Sequence, residues 1–216
     1  LAHVSFPMIV KLMLLDNDPY HDAILSGLVL SVGGLTEAVV KSATSALLTV
    51  TKALVKQNHK RGLARLGRTL VALFDKHAGE DRVIVPLLKT AEVLLENDVF
   101  VPIGDVGTEP VLQGLLRAVK AEMRGCRDVK KLFGAIDVCV GLLSPSVEED
   151  VRVDALKQVV VLLGHCYPRV RKFSAERLYT KLLVCDGVLP AALPPTASDE
   201  VSDLLSTVVW DAEVED

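Results

Sequence analysis

The chain has 216 residues and a formal net charge of −4, and half of its residues are hydrophobic although only 4% are aromatic. This length is enough to bury a sizeable core, and burial mainly by Leu, Val and Ala favours packed helices over a β-sandwich rich in aromatic residues. The longest uncharged stretch, residues 23–36, is shorter than the roughly 20 apolar residues that cross a bilayer, so we expect no membrane span.

Apolar residues recur at steps of three and four along almost the whole chain, and breaks rich in Pro, Gly or Asn/Asp interrupt them. No convincing run of period two appears, and only residues 99–103 (VFVPI) suit a short extended segment. Asp18 before Pro19 and Ser144 before Pro145 are typical helix starts, because the polar side chain can cap a helix that has proline in its first turn. The pattern predicts ten helices, at residues 4–15, 20–33, 35–56, 59–78, 82–96, 110–123, 127–143, 147–164, 168–184 and 198–210.

Internal similarity indicates how these helices are arranged. Residues 5–32 and 82–100 share an apolar-Pro-apolar opening, an amphipathic helix and an Asn-Asp break, and residues 5–32 and 155–183 share an apolar helix, a turn with proline and a second helix. Short helices with brief connections and no long heptad pattern favour an array of antiparallel helix pairs. We therefore predict an all-α fold, a solenoid of about five stacked helix pairs.

Charge is distributed unevenly along the chain. All 24 Lys and Arg residues lie at or before Lys181, whereas eight of the 28 acidic residues follow it. We assign residues 1–188 to the helical repeat domain and residues 189–216 to a Pro-rich linker with an acidic C-terminal helix or tail. This tail is either a solvated end, which is the simpler alternative, or a segment that contacts the basic body.

The stretch HCYPRVRKFSAERLY, residues 165–179, has the pattern of an inner helix of such an array. Pro168 presets the backbone for the first helical turn, and the small Ala175 allows a paired helix to approach closely. The helical spacing places four apolar side chains toward the layer between helices. They are Val170, Phe173, Leu178 and Leu182.

This stretch resembles the second helix of a HEAT repeat, which opens near a Val-Arg pair after a turn that often contains proline. The resemblance implies a HEAT/armadillo-like solenoid. At a finer level, residues 15–48 (LDNDPYHDAILSGLVLSVGGLTEAVVKSATSALL) and 165–183 (HCYPRVRKFSAERLYTKLL) resemble the C-terminal region of the tubulin-folding cofactor D family. Residues 82–98 (RVIVPLLKTAEVLLEND) are consistent with that resemblance, which runs from about residue 5 to 185. Members of the family are much longer, so we expect this chain to be a C-terminal segment.

The resemblance implies a non-enzymatic, chaperone-like role in tubulin folding. Members of this family bind β-tubulin and act with tubulin-folding cofactors C and E to assemble or take apart the α/β-tubulin heterodimer. They also associate with an Arf-like small GTPase, and the assembled cofactors stimulate GTP hydrolysis by tubulin. The resemblance therefore implies a cytoplasmic, cytoskeleton-associated location, and it gives no reason to expect a bound cofactor.

Signatures of catalysis and metal binding do not occur in the sequence. There is no GxxxxGK[ST] loop, no HExxH, no GxSxG and no CxxC pair among the four cysteines. The cysteines are typical of reduced thiols in an intracellular protein. His165 and Cys166 are adjacent and point in different directions, so we expect turn residues there and not a metal site. We predict no catalytic, cofactor-binding or metal-binding residue.

Basic clusters are the candidates for partner binding. The first cluster consists of Lys56, Lys60, Arg61, Arg65 and Arg68. Its three arginines recur at steps of four and three, so they share one helix face. Each cluster is either a solvated helix face or a surface that meets acidic tubulin, where opposite charge raises the association rate and fixes the register. The clusters lack interleaved aromatic residues, so we expect no nucleic-acid partner. A second cluster, on the last long helix, consists of Arg169, Lys172, Arg177 and Lys181, with Arg171 between them.

Two alternatives to the tubulin-folding role remain. One is a HEAT scaffold of another complex, of the nuclear-transport or phosphatase type. The other is a GTPase-activating subunit, which needs an arginine at a loop tip that can reach a γ-phosphate. Arg124 and Arg127, which flank Gly125, are the candidates for that arginine. They belong to a third basic cluster, which consists of Arg117, Lys120, Arg124, Arg127, Lys130 and Lys131.

Overall fold

The structure is a computed structural model that describes residues 20–32, 36–101, 108–194 and 196–212 together with Ser5 and Met8, without the side chains of residues 108–110. Within these residues there are nine α-helices and no strand, which confirms the all-α prediction. The helices are α1 (His21–Val32), α2 (Glu37–Lys56), α3 (Lys60–Lys76), α4 (Asp81–Glu96), α5 (Thr108–Met123), α6 (Val129–Gly141), α7 (Glu149–Leu163), α8 (Pro168–Val184) and α9 (Ala197–Thr207).

Nine of the ten predicted helices correspond to these helices, with ends that differ by up to three residues. Of the tenth, at residues 4–15, the structure describes only Ser5 and Met8, which are both helical, and the predicted cap at Asp18 lies outside the described residues. The helix start at Ser144–Pro145 was wrong: Ser144 and Ser146 hydrogen-bond to each other in a turn at 2.8 Å, and α7 begins only after Glu148. Of the segment at residues 99–103 that suited an extended conformation, residues 99–101 form a turn, and residues 102 and 103 lie outside the described residues.

The chain divides into two compact units, Leu1–Ala118 and Val119–Asp216. In the first unit, α1 packs against α2, α3 and α4, and α3 also packs against α2 and α4. Leu25 and Leu28 of α1 are almost completely buried, and burying a side chain of this size stabilises the fold by about 1.5–3 kcal/mol. Gly67 brings α3 close to the first part of α5, because a Cβ there would lie 2.4 Å from Cγ1 of Val111.

In the second unit, α8 is the central helix and packs against α6, α7 and α9. Val170, Ser174, Ala175 and Leu178 form its buried side. The predicted inward residues Phe173 and Leu182 are only half-buried. Phe173 stacks on Phe133 of α6, with ring centroids 4.2 Å apart. Ser174 can occupy the buried side because its hydroxyl donates to the carbonyl of Val170 at 2.8 Å.

In each unit consecutive helices pack together, and in addition α1 packs against α3 and α4, and α6 against α8. This packing is compatible with the predicted α-solenoid. The predicted domain boundary at residue 188 stays a prediction.

Among the described helices, α2 alone is long and apolar enough to cross a membrane by length and composition. Its buried residues, which include Ala43, Leu47 and Val50, face α1 and α3. Of its most apolar 18-residue window, 33% is buried within the fold. The expected absence of a membrane span stays a prediction.

Candidate functional site

The first predicted cluster lies on α3. This helix begins after His59, whose Nδ1 accepts a hydrogen bond from the backbone N–H of Gly62 at 3.0 Å. Leu63, Leu66 and Leu70 face the core at helical spacing. Arg61 and Arg68 are exposed and Arg65 is half-buried. We call Arg61, Arg65 and Arg68 the α3 basic face.

The α3 basic face carries a strong positive charge on a well-anchored helix. Among the described residues, Arg61 and Arg68 have no ion-pair partner. Asp75 is the one acid in the sequence of α3, and Arg117 of α5 engages both of its carboxylate oxygens at 3.0 and 2.9 Å. That hydrogen bond and the charge of Asp75 raise the pKa of Arg117 above its ordinary value. Asp75 is therefore already engaged at the far end of the helix.

The second predicted cluster, on α8, is partly used inside the chain. Nζ of Lys172 lies 2.8 Å from Oδ2 of Asp211, and Nε of Arg177 lies 2.5 Å from Oδ1 of Asp137 on α6. The hydrogen bond and charge of Lys172 lower the pKa of Asp211. Arg169 is exposed and Lys181 half-buried, and neither has an ion-pair partner among the described residues. The assignment of these four residues to a partner stays a prediction.

Arg171 anchors the C-terminal residues to α8. Its buried guanidinium donates to the backbone carbonyls of His165 at 2.9 Å and Trp210 at 2.9 Å, and also to the carbonyl of Ala212. The indole N–H of Trp210 in turn donates to the carbonyl of Leu205 at 2.9 Å. Of the two alternatives for the acidic tail, the structure shows contact with the basic body for the residues up to 212. The uneven charge of the chain indicated an ion pair such as Lys172–Asp211, but it could not indicate the contacts of Arg171, because its partners are carbonyl groups.

The third cluster is also largely engaged within the chain. Lys120 binds both carboxylate oxygens of Asp154 on α7 at 2.9 and 2.8 Å. Lys131 forms a buried ion pair with Glu122, with the charged atoms 2.5 Å apart. Arg124 and Arg127, in contrast, are exposed in the turn after α5, and Gly125 between them has a φ of 66°. Only glycine adopts such a φ readily, so the position of this turn depends on Gly125.

The exposed arginines border an open cavity of about 560 Å³ that sequence reasoning missed. It lies between the turn after α5 (residues 123–127) and the end of α7 with the turn after it (residues 161–167). We call it the turn cleft. Each turn carries residues that the sequence analysis singles out: Arg124 and Arg127 in the first turn, and His165 and Cys166 in the second. Alternate turns of an antiparallel helix array lie at the same edge, and this was the available signal that they would meet.

Two titratable groups at or near the turn cleft have shifted pKa values, His165 in its lining and Cys139 on α6. The pKa of His165 is lowered, first because burial disfavours its charged form and second because Arg171 repels it. Its Nδ1 accepts a hydrogen bond from the N–H of Tyr167 at 3.1 Å. Burial raises the pKa of the Cys139 thiol on α6 to about 12, so this thiol is unreactive at neutral pH. No group of three or more potential metal ligands occurs among the described residues.

A comparison with protein-family models matches residues 1–131 to the family described as tubulin folding cofactor D C terminal. The matched residues include α1 to α5 and the α3 basic face. The α8 cluster and most of the second unit lie beyond the match. No solved structure matches the chain.

Proposed function

The chain belongs to the tubulin folding cofactor D C-terminal family, and from this premise we propose that it is a non-enzymatic segment that docks β-tubulin. In this role it acts as a scaffold during assembly and disassembly of the α/β-tubulin heterodimer. Family membership itself supports a tubulin-folding role. The binding partner and the binding face are our proposal.

The exposed α3 basic face carries this proposal. It lies inside the residues that match the family, and it presents Arg61 and Arg68 to solvent. Its helix is held by several neighbours: Thr69 donates to Asp22 of α1 at 3.0 Å, and Gly67 packs against Val111 and Phe100. Cations on a rigid helix can meet an acidic partner surface with little loss of conformational entropy.

The α8 cluster is a weaker candidate for the same role. A partner that engaged Lys172 or Arg177 would have to displace Asp211 or Asp137. Such an exchange gains little, because one ion pair replaces another. We therefore place the principal tubulin contact on α3.

The remaining partners follow from the family. We propose that the segment acts together with tubulin-folding cofactors C and E and with an Arf-like small GTPase, in the cytoplasm and in association with the cytoskeleton. The family match gives no support to a nuclear-transport or phosphatase scaffold.

Equilibrium binding to purified α/β-tubulin at two salt concentrations tests this proposal. The test variant carries Arg61→Glu, Arg65→Glu and Arg68→Glu. A matched control carries Lys52→Glu, Arg82→Glu and Lys157→Glu, which change three exposed cations on three other helices by the same total charge. We expect at least about tenfold weaker binding for the test variant at low salt and a smaller difference at high salt.

Two results would contradict the proposal. One is equal affinity of the test variant and the wild-type chain. The other is equal weakening of the test and control variants, which would indicate a nonspecific charge effect. Circular dichroism of all three proteins checks that the substitutions leave the helices intact.

One observation favours a second candidate role. Arg124 and Arg127 are exposed in a turn, as an arginine that reaches a γ-phosphate must be. If either residue acts in this way, Arg124→Ala or Arg127→Ala will slow single-turnover GTP hydrolysis by tubulin in the assembled cofactor complex. Unchanged rates in both variants would dismiss this role.

A further inference from the structure

We propose that the turn cleft binds a short acidic peptide segment of a partner protein, with one apolar side chain of that peptide inserted between the ends of α5 and α7. This site is separate from the α3 basic face, and the inference does not depend on the proposed tubulin contact. It rests on the charges around the cleft and on its exposed apolar residues.

The charges around the cleft favour an anionic ligand. Lys120, Arg124 and Arg127 line it, and none of the described lining residues is Asp or Glu. The charge of Lys120 is balanced by Asp154 at 2.8 Å. Arg124 and Arg127 are exposed and have no ion-pair partner among the described residues. Two full positive charges are therefore available to a ligand.

The two helix ends beside the cleft neutralise only part of the positive charge of Arg124 and Arg127. The C-terminal ends of α5 and α7 lie beside the cleft, and the dipole of each helix places at most roughly half a negative charge there. Two arginines outweigh two such ends, so the cleft keeps a net positive charge of about one unit. A guanidinium also pairs with a carboxylate through two parallel hydrogen bonds. We therefore expect binding that is moderate and weakens with salt.

The apolar part of the cleft favours a peptide over a small anion. Met123, Val161 and Leu162 contribute to its lining. Val161 is 68% exposed and the adjacent Val160 is 53% exposed, although both lie within α7. Exposed apolar residues next to cations are typical of a surface that buries an apolar anchor on binding. The volume of about 560 Å³ lies in the range of pockets that accept small ligands or a few side chains.

A synthetic peptide tests the proposal on the 216-residue chain. The probe is a fluorescein-labelled peptide with a Leu-Phe pair between two runs of glutamate, and its control has glutamine in place of every glutamate. We expect the acidic probe to bind in a fluorescence anisotropy titration. Arg124→Gln with Arg127→Gln should weaken binding about tenfold or more. Arg169→Gln with Lys181→Gln removes the same charge elsewhere in the unit and should change binding less than about twofold.

Cysteine alkylation locates the bound peptide. Cys126 and Cys166 line the turn cleft, whereas Cys185 lies outside it and is half-buried like Cys126. Mass spectrometry after timed alkylation should therefore show that the acidic probe slows modification of Cys126 and Cys166 by at least about threefold and leaves Cys185 unchanged. This result also separates binding in the cleft from binding at the α3 basic face.

Three outcomes would overturn the proposal. Equal weakening by the two double substitutions would indicate nonspecific attraction, and absence of protection at Cys126 and Cys166 would place the probe elsewhere. A chain that ends at Ala212 provides the third test. If removing residues 213–216 strengthens probe binding by more than about tenfold, the occupant is the chain's own acidic end and not a partner.

Discussion

Arg171 is a residue whose role depends on burial and not on sequence spacing. It belongs to a stretch with five cations, residues 169–181, yet its guanidinium is buried and bound to carbonyl groups from two separate segments. Its neighbour Lys172 is exposed and forms an ion pair with Asp211. Adjacent cations in one cluster therefore hold the same C-terminal residues through interactions of very different strength.

We expect Arg171→Met to lower the free energy of unfolding by roughly 1–3 kcal/mol, because it leaves the part-buried carbonyls of His165 and Trp210 without this donor. Urea unfolding followed by the fluorescence of Trp210, the single tryptophan, measures both stability and local detachment. The emission of the folded variant should shift to longer wavelength. Lys172→Met is the control and should change the unfolding midpoint little, because its ion pair is exposed. Similar effects of both substitutions would contradict this account.

His165 should make the stability of the chain depend on pH. Its pKa is lowered in the folded state, whereas the unfolded side chain titrates near its ordinary value of about 6.5. Between these two pKa values the unfolded chain binds more protons. Stability is therefore fully present above about pH 6.5 and is lost as the pH falls toward the lowered folded pKa.

His165→Asn tests this assignment. Asn keeps an acceptor that can receive the N–H of Tyr167 but cannot titrate. Between about pH 7.5 and pH 5.5 we expect the urea midpoint of the wild-type chain to fall more than that of the variant. An identical fall in both proteins would show that other groups are responsible.

Residue types and spacing predicted which cations lie on the same helix, but not which of them form ion pairs within the chain. Arg61, Arg65 and Arg68 do lie on one helix, away from its leucines, as their spacing indicated. The pairing of Arg177 with Asp137 joins two residues of different helices, and nothing in the local pattern of either helix specifies it. Intramolecular partners of this kind become visible only when the helices are packed.

At the scale of single helices, the sequence was most informative. Periodicity predicted every described helix, because each has an apolar side that must be buried. The predicted ends of a helix were less accurate where more than one residue near the end could act as its cap. α6 begins at Val129 because the carboxylate of Asp128 accepts the N–H groups of Lys130 and Lys131, whereas Ser144 bonds to Ser146 and caps no helix.

Two glycines within helices should respond oppositely to alanine. A Cβ at Gly27 of α1 would meet nothing within 4 Å, whereas at Gly67 of α3 it would lie 2.4 Å from Val111 Cγ1 and 3.2 Å from Phe100 Cε1. Gly27→Ala should raise the free energy of unfolding by about 0.5–1 kcal/mol through helix propensity. Gly67→Ala should lower it by about 1–3 kcal/mol, because α3 and α5 must separate.

Urea unfolding followed by circular dichroism measures both glycine variants. Each variant serves as the control for the other, because both substitutions add one methyl group inside a helix. If Gly67→Ala were as stable as Gly27→Ala, the close approach of α3 to α5 would be wrong.

For the chain as a whole, the sequence predicted the fold class and the family, which the structure and the family match confirm, but not the turn cleft. A repeat pattern shows that helices stack, and it does not show which loop side chains then face each other. The turn cleft unites residues about 40 positions apart, around Arg124 and His165, and depends on how α5 to α8 pack in the second unit. The family match ends at residue 131, so the role of this unit has to be argued from its own side chains.

We propose that this segment of the tubulin folding cofactor D family docks β-tubulin through α3, and photo-crosslinking is the most direct test of that proposal. A photoreactive amino acid replaces Arg68 on the α3 basic face, and in a control protein it replaces the exposed Lys157 on α7. After irradiation with α/β-tubulin, we expect mass spectrometry to identify adducts between position 68 and β-tubulin and few or none from position 157. No β-tubulin adduct from position 68, or equal yields from both positions, would contradict the account.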